Sequence, residues 1–308
     1  MTKVFIDGTS GTTGLNIRER LSAFDNINLI TLKEEFRKDT VARKDAINSA
    51  DVVFLCLPDD AAKEAVLLVD ESNKNTAIID ASTAHRTNEN WVYGFAEIKG
   101  QKEKIKSSKR IANPGCHASG FISLVRPLID EGVLDKNTYL TAFSITGYTG
   151  GGKNMIKEYE EDMPFDYIAP RQYGLTQMHK HIPEMMKIGG LEVKPSFCPI
   201  VSSFPRGMEV SIPLNKDMLT CGIDDLKDIY KNYYTGNIVK FVESSDEKGF
   251  LTANKLAGKD SLEISVFGGT DNILLVSRFD NLGKGAGGAA IQNMNLLINE
   301  DENKGLIL

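Results

Sequence analysis

Cys116 follows directly on Asn113-Pro114-Gly115 and leads into the apolar run Ala118 to Val125, a pattern that places a thiol at the start of a buried helix. The unpaired N–H groups and partial positive charge of a helix start favour the thiolate, the form of sulfur that attacks a carbonyl carbon. Free cysteine is also a common core residue, so the thiol by itself does not define a site. A partner able to move protons lies in Gln177-Met178-His179-Lys180-His181-Ile182-Pro183-Glu184, which holds two of the four histidines in the chain. Imidazole is the side chain best suited to take and return a proton near neutral pH, and residues far apart in sequence can meet in space. An H-x-H pair binds metal only with further ligands at recognisable spacing; none follows, and no metal site is expected. In an extended segment alternate side chains point the same way, so the sequence does not separate His179 from His181. His181 is the preferred acid–base, being nearer to Pro183, which reads as the first turn of a helix that would fix it.

A third motif belongs to anion binding. Gly8-Thr9-Ser10-Gly11-Thr12-Thr13-Gly14 lies between the strand-like Val4 to Ile6 and a helical face made of Leu15, Ile17, Leu21 and Phe24. Gly8 suits the tight turn, Gly11 a close approach of backbone to a pyrophosphate, and the helix start offers N–H groups to the anion. The spacing G-x-x-G-x-x-G departs from the usual G-x-G-x-x-G fingerprint, so the match is to the mechanism. At the end of the next strand, Lys33, Arg37 and Lys38 favour a 2′-phosphate and hence NADP, while Glu34 and Glu35 keep the ribose hydroxyl of NAD open. The run Val52 to Leu57 then reads as a buried strand, with Cys56 in the core and Pro58 opening a loop over the cofactor.

The elements needed to position these groups are legible. Val4 to Ile6, Ile27 to Leu32, Val52 to Leu57 and Ala77 to Ile79 alternate with amphipathic stretches, the pattern of a parallel sheet with crossover helices. After Cys116, longer loops and the runs Leu140 to Ile145, Glu209 to Pro213 and Leu262 to Phe267 suggest an α+β unit. The expected fold is therefore α/β: an N-terminal Rossmann-like dinucleotide-binding domain and an α+β catalytic domain with a mixed or antiparallel sheet. A length of 308 residues accommodates two domains, and 41% hydrophobic with 25% charged residues is an ordinary globular composition. A net charge of −6 argues against a nucleic-acid partner. The one basic stretch, Lys99 to Arg110, reads as a solvated helix face. Cysteines at 56, 116, 198 and 221 show no C-x-x-C spacing, which fits reduced thiols in a cytoplasm. The opening strand-like run is unlike a secretory signal, and no apolar run approaches the ~18 residues of a membrane span.

Taken in order, the blocks Gly8 to Gly14, Cys56-Leu57-Pro58-Asp59, Asp80 to Arg86 with Trp91 to Phe95, Asn113 to Cys116, Gly147 to Lys153, His179 to Glu184 and Asn281 to Ala286 carry a resemblance. The chain resembles the short-form N-acetyl-γ-glutamyl-phosphate reductases of arginine biosynthesis, which are related in fold to aspartate-semialdehyde dehydrogenases. The resemblance runs nearly end to end. It departs at His117 and Ala118, where longer relatives usually carry an aromatic residue and proline.

The resemblance implies that Cys116 attacks an acyl phosphate, that hydride from NADPH reduces the resulting thioester, and that His181 or His179 moves the proton. The backbone N–H groups of Cys116 and His117 are the implied oxyanion donors. The cofactor would contact Gly8, Thr9, Ser10, Gly11, Thr12, Thr13, Gly14, Arg37, Lys38, Pro58 and, beside the nicotinamide, Asn281. Substrate contacts are expected from Arg86, Ser82 and Asn113 and from Gly150 and Lys153 of the glycine-rich loop, with Arg171 a further anion candidate. The resemblance also implies domains at 1–114 with 284–308 and at 115–283, the helix from Ala289 to Ile298 returning to the first, and a homodimer or homotetramer. Other readings are an aspartate-semialdehyde dehydrogenase, an NADP-sensing regulatory protein indifferent to loss of Cys116, and a cysteine hydrolase, against which the glycine loop counts.

Overall fold

The computed structural model describes every residue of the chain except Asp162. The chain forms two compact units, one of residues 1–96, 100–114 and 286–306, the other of residues 97–99, 115–285 and 307–308.

The first unit contains β1 (Thr2–Asp7), α1 (Thr12–Leu21), β2 (Ile27–Ile30), α2 (Thr40–Ser49), β3 (Val52–Leu55), α3 (Asp59–Leu67), β4 (Ala77–Asp80), β5 (Val92–Tyr93), α4 (Gln101–Ser107), β6 (Arg110–Ala112) and the late helix α9 (Gly288–Leu297). Its six strands are all parallel, in the order β2-β1-β3-β4-β6-β5. Parallel strands covered on both faces read as continuous apolar runs, and β3 and β4 are buried at every residue. β3 stops at Leu55, earlier than the sequence suggests, because Pro58 lacks the N–H a longer ladder needs and instead caps α3. The strand order reverses between β1 and β3, which puts a crevice at their carboxyl ends. α9 is buried nearly all round: Ala290, Ile291, Met294 and Leu296 pack with Val4, Ile6, Ile17 and Val52, while its Asn293 and Asn295 bond backbone carbonyls. In the basic stretch, α4 buries Gln101 and Ile105 and leaves its lysines outward.

The second unit contains α5 (Cys116–Asp130), β7 (Thr141–Gly147), α6 (Gly152–Glu160), β8 (Arg171–Gln172), α7 (Ile182–Gly189), β9 (Ser196–Ser202), β10 (Met208–Asn215), α8 (Ile223–Tyr233), β11 (Val239–Phe241), β12 (Leu262–Gly268) and β13 (Asn272–Phe279). Its seven-stranded sheet runs β11-β12-β13-β10-β7-β9-β8, with the β11–β12 and β7–β9 pairs parallel and the rest antiparallel. α5 lies close against one face: a Cβ on Gly120 would stand 2.4 Å from Val210 and 2.9 Å from Phe279. Tyr230 and Tyr234 bond the α5 carbonyls of Leu124 and Ser123 at 2.6 and 2.9 Å. The helix that presents Cys116 is thus clamped from both sides.

Candidate active site

In the first unit the turn after β1 and the loop after β3 meet. Gly8 has φ of +96°, and a Cβ there would fall 2.3 Å from the Cys56 carbonyl oxygen, so only glycine allows the two loops this approach. The first helical bond of α1 is Leu15 N–H to Gly11 O, which leaves the N–H groups of Thr12, Thr13 and Gly14 at an open helix start. Thr12 Oγ1 is buried there with no hydrogen-bond partner among the described residues. An orphaned hydroxyl at a helix start fits an absent anion, and a dinucleotide pyrophosphate supplies one.

A cleft of about 740 Å³ opens beside this turn, lined by Gly8, Thr9, Ser10, Gly11 and Pro58 and by Arg18, Arg37, Lys38 and Arg43. The sequence pointed to Arg37 and Lys38 but missed the other two. Arg18 was readable, since it lies four residues after Gly14 on the same helix face. Arg43 reaches back from α2 to Asp7 at 2.8 Å, a long-range pair that no local pattern announces. Arg37 is paired with Glu34, whereas Arg18 and Lys38 have no ion pair among the described residues. Cys56, expected in the core, packs against it while lining the cleft: burial, then Asp80 and Asp7, push its thiol up to about 12.

Three expected substrate contacts belong to this unit, and their polar atoms serve it internally. Ser82 Oγ donates to Asp80 at 2.7 Å, and the same carboxylate meets His85 Nδ1 at 2.6 Å. Arg86 donates to the carbonyls of Asn113 and Ala81, both at 3.0 Å. Asn113 gives its side-chain N–H to Ala286 O and accepts from Asn293. Together they fix Asn113, just after β6 and three residues before Cys116.

In the second unit Gly115 precedes α5, and Ser119 N–H to Gly115 O is the first bond of that helix. The N–H groups of Cys116, His117 and Ala118 therefore belong to its first turn, where negative charge on sulfur or a nearby oxygen is stabilised. Gly285 lets a neighbouring loop pass behind the thiol, since a Cβ there would lie 2.9 Å from that of Cys116. The Gly115 N–H is held at 3.1 Å by Glu184, whose other oxygen is 3.9 Å from His181 Nε2.

His179 and His181 do not share an extended segment. The chain turns there, His181 caps α7 with Pro183 just inside, and its N–H donates to His179 Nδ1 at 3.2 Å. Their rings meet edge to face, with centroids 4.8 Å apart. His117 completes the cluster at 5.4 Å from His179 and 5.5 Å from His181. The sequence marked His117 as a departure from longer relatives and for its backbone N–H, not for its imidazole, yet it is the most enclosed of the three. Nδ1 lies 2.7 Å from Ser144 Oγ and Nε2 2.6 Å from the hydroxyl of Tyr173. Burial first, then the charge of His179, lower its imidazole to about 3, so it is neutral at physiological pH. His179 is lowered to about 4 by burial and then by Lys180. The Tyr173 phenol is raised by burial and by charge on Cys116, which places Tyr173 within electrostatic reach of the sulfur. Ser144 and Tyr173 had no signal in the sequence beyond their types.

Asn281 is held firmly, accepting from Gly207 N–H and donating to Thr149, both at 3.0 Å, and its amide is 3.4 Å from where a Gly150 Cβ would be. Asp280 beside it is fully buried and accepts from the N–H groups of Leu282 and Gly283 while pairing with Arg206 at 2.9 Å. Lys153 lies in the first turn of α6.

Two family models match the chain: semialdehyde dehydrogenase, NAD binding domain, over residues 3–108, and semialdehyde dehydrogenase, dimerisation domain, over residues 116–281. N-acetyl-gamma-glutamyl-phosphate reductase of Sinorhizobium medicae is 46% identical over 96% of this chain and 98% of its own length. The protein of the same name from Brucella ovis is 45% identical over the same shares. Among solved structures, aspartate semialdehyde dehydrogenase II of Vibrio cholerae complexed with ASA has a TM-score of 0.73 at 15% identity, covering 97% of this chain and 98% of that one. The aspartate semialdehyde dehydrogenase of Francisella tularensis also has a TM-score of 0.73, at 14% identity over 97% of this chain and 100% of that one. These two show a shared fold.

Proposed function

The chain belongs to the N-acetyl-gamma-glutamyl-phosphate reductase family, and from that premise we propose that it reduces N-acetyl-γ-glutamyl phosphate to N-acetylglutamate semialdehyde, with release of phosphate, in arginine biosynthesis. The observation that carries the chemistry is a thiol at the first turn of a clamped helix, beside a cluster of two neutral imidazoles, His181 and a phenol. The first unit would hold NADPH, with Gly8 to Gly14 available to the pyrophosphate, Pro58 along the cleft, and Arg18, Arg37 and Lys38 available to the 2′-phosphate.

Cys116 thiolate attacks the γ-carbonyl carbon, the carbon–oxygen bond to phosphate breaks, and a thioester forms. NADPH supplies the hydride that reduces the thioester carbon. The thiohemiacetal oxyanion is met by the N–H groups of Cys116 and His117 and takes a proton. On collapse the hydroxyl proton passes to the histidine pair, the carbon–sulfur bond breaks with its electron pair returning to sulfur, and the semialdehyde leaves. His179 and His181 carry the protons; His181, fixed as the α7 cap and facing Glu184, is our choice for the exchange with substrate, and His179 for relay. Asn281, Gly150 and Lys153 form the remaining wall on the second unit. Ser82, Arg86 and Asn113 act by bracing the approach to Cys116.

No helix among the described residues is long and apolar enough to cross a membrane. A cytoplasmic enzyme working as a homodimer or homotetramer fits four free thiols and a match to a dimerisation domain. The test is phosphate-dependent reduction of NADP with N-acetylglutamate semialdehyde, comparing wild type with Cys116→Ser, and aspartate semialdehyde as the control. Activity that requires phosphate and falls at least ~10³-fold in the variant supports the reading. Oxidation of aspartate semialdehyde alone would reassign the substrate, and undiminished activity in the variant would remove the thioester.

A further inference from the structure

Arg171 is a cation whose only partners among the described residues are neutral. Its Nε and Nη2 lie 3.1 and 2.8 Å from the hydroxyl of Tyr159, and its guanidinium carbon sits 3.2 Å from the centroid of the Tyr167 ring. Tyr159 is itself stacked on Tyr148 at 4.7 Å, so the arginine rests on a rigid aromatic base. No carboxylate among the described residues comes within ion-pair distance of it, whereas Arg278 is paired with Glu247 and Lys284 with Glu97.

Its place in the sheet gives that charge a direction. β8 pairs with β9 with Arg171 opposite Val201, and the pairing continues as Tyr173 N–H bonds Pro199 O. Residues paired across antiparallel strands share a face, so Arg171 and Tyr173 project from the same side as Val201, Pro199 and Phe197, all buried. Phe197 on that side touches the rings of His117 and His179, and Tyr173 bonds His117. Arg171 is thus one side-chain repeat, about 7 Å, from the phenol that borders the thiol. In an N-acetylglutamyl group bound through its δ-carbon to Cys116, four carbon–carbon bonds separate that carbon from the α-carboxylate, roughly 5 Å.

We infer that Arg171 is a specificity-determining residue that receives the α-carboxylate of the substrate, with Tyr159 and Tyr167 as the positioning residues that hold its guanidinium plane. This rests on the function proposed above and names the subsite that reads the end of the substrate remote from the phosphate. A planar fork suits a carboxylate, and phenol partners orient it without neutralising it.

The test compares N-acetylglutamate semialdehyde with its α-methyl ester in the phosphate-dependent oxidation, using wild type, Arg171→Gln and Arg171→Lys. Wild type should favour the acid over the ester by about 10- to 100-fold in kcat/KM. Arg171→Gln should raise KM for the acid by a similar factor, hold kcat within about threefold and leave the ester unchanged, so that discrimination collapses; Arg171→Lys should recover part of it. Equal losses on acid and ester, or a fall confined to kcat, would overturn the subsite while leaving the reductase reading intact. A wild type inactive on the acid would remove both.

Discussion

His117 titrates far below the histidines of an unfolded chain, and that makes the second unit acid-sensitive in a way that can be measured. An unfolded histidine has its pKa near 6.5 and the folded His117 near 3. Between those values the unfolded chain binds the extra proton, so stability falls as pH drops below ~6.5 and the loss is complete only near ~3. By pH 5 the difference amounts to about 1.5 pH units, or about 2 kcal/mol, a sizeable part of a domain's usual 5–15 kcal/mol. His117→Phe has no proton to take. It also strands the hydroxyls of Ser144 and Tyr173, so it should be less stable at pH 7.5 by about 1–3 kcal/mol for each. Its decline from pH 7.5 to 5.0 should nevertheless be shallower than that of wild type by about 2 kcal/mol. His179 shifts in the same direction in both proteins and largely cancels in the comparison. Urea unfolding followed by tyrosine near-ultraviolet dichroism reads the second unit, where every tyrosine but Tyr93 lies, while fluorescence of Trp91, the sole tryptophan, reads the first. Parallel declines in wild type and variant would refute the assignment of a buried neutral imidazole at this position.

Gly8→Ala should abolish NADPH binding measured by fluorescence titration, since the new methyl meets the Cys56 carbonyl at 2.3 Å and φ of +96° adds strain; binding within tenfold of wild type would show that this turn does not hold the cofactor. Glu184→Gln removes the charge from the carboxylate that anchors the Gly115 N–H and faces His181, and kcat should fall about 5- to 30-fold with KM for the semialdehyde nearly unchanged. A change confined to KM would place Glu184 in substrate binding instead.

Local patterns disclosed the parts whose function is local. The glycine turn, the buried parallel strands and the Pro-Gly-Cys helix start each follow from backbone rules acting within a dozen residues, and the apolar run of α9 could be read as a buried helix before its packing partners were known. Bounds shifted where a particular residue decided them, as Pro58 does after β3. The side chains that were missed do their work through contacts made only after folding. Arg43 meets Asp7 across 36 residues, His117 meets Tyr173 across 56, and Gly115 meets Glu184 across 69. At Arg86 residue type says only part of what the side chain does: its guanidinium, read as an anion contact, also bonds the Asn113 and Ala81 carbonyls, because the carbonyls of two loop ends must be paired once buried.

The same logic explains what His117 does beside the thiol. An aromatic residue after the cysteine would fill the volume beside Phe197, but it would leave Ser144 and Tyr173 to find other partners. Histidine fills that volume and bridges both hydroxyls, provided it remains neutral, and burial among rings ensures that it does. His117, Ser144 and Tyr173 therefore form one unit, and replacing any one of the three should be costlier than exchanging the whole set for apolar residues of matching shape.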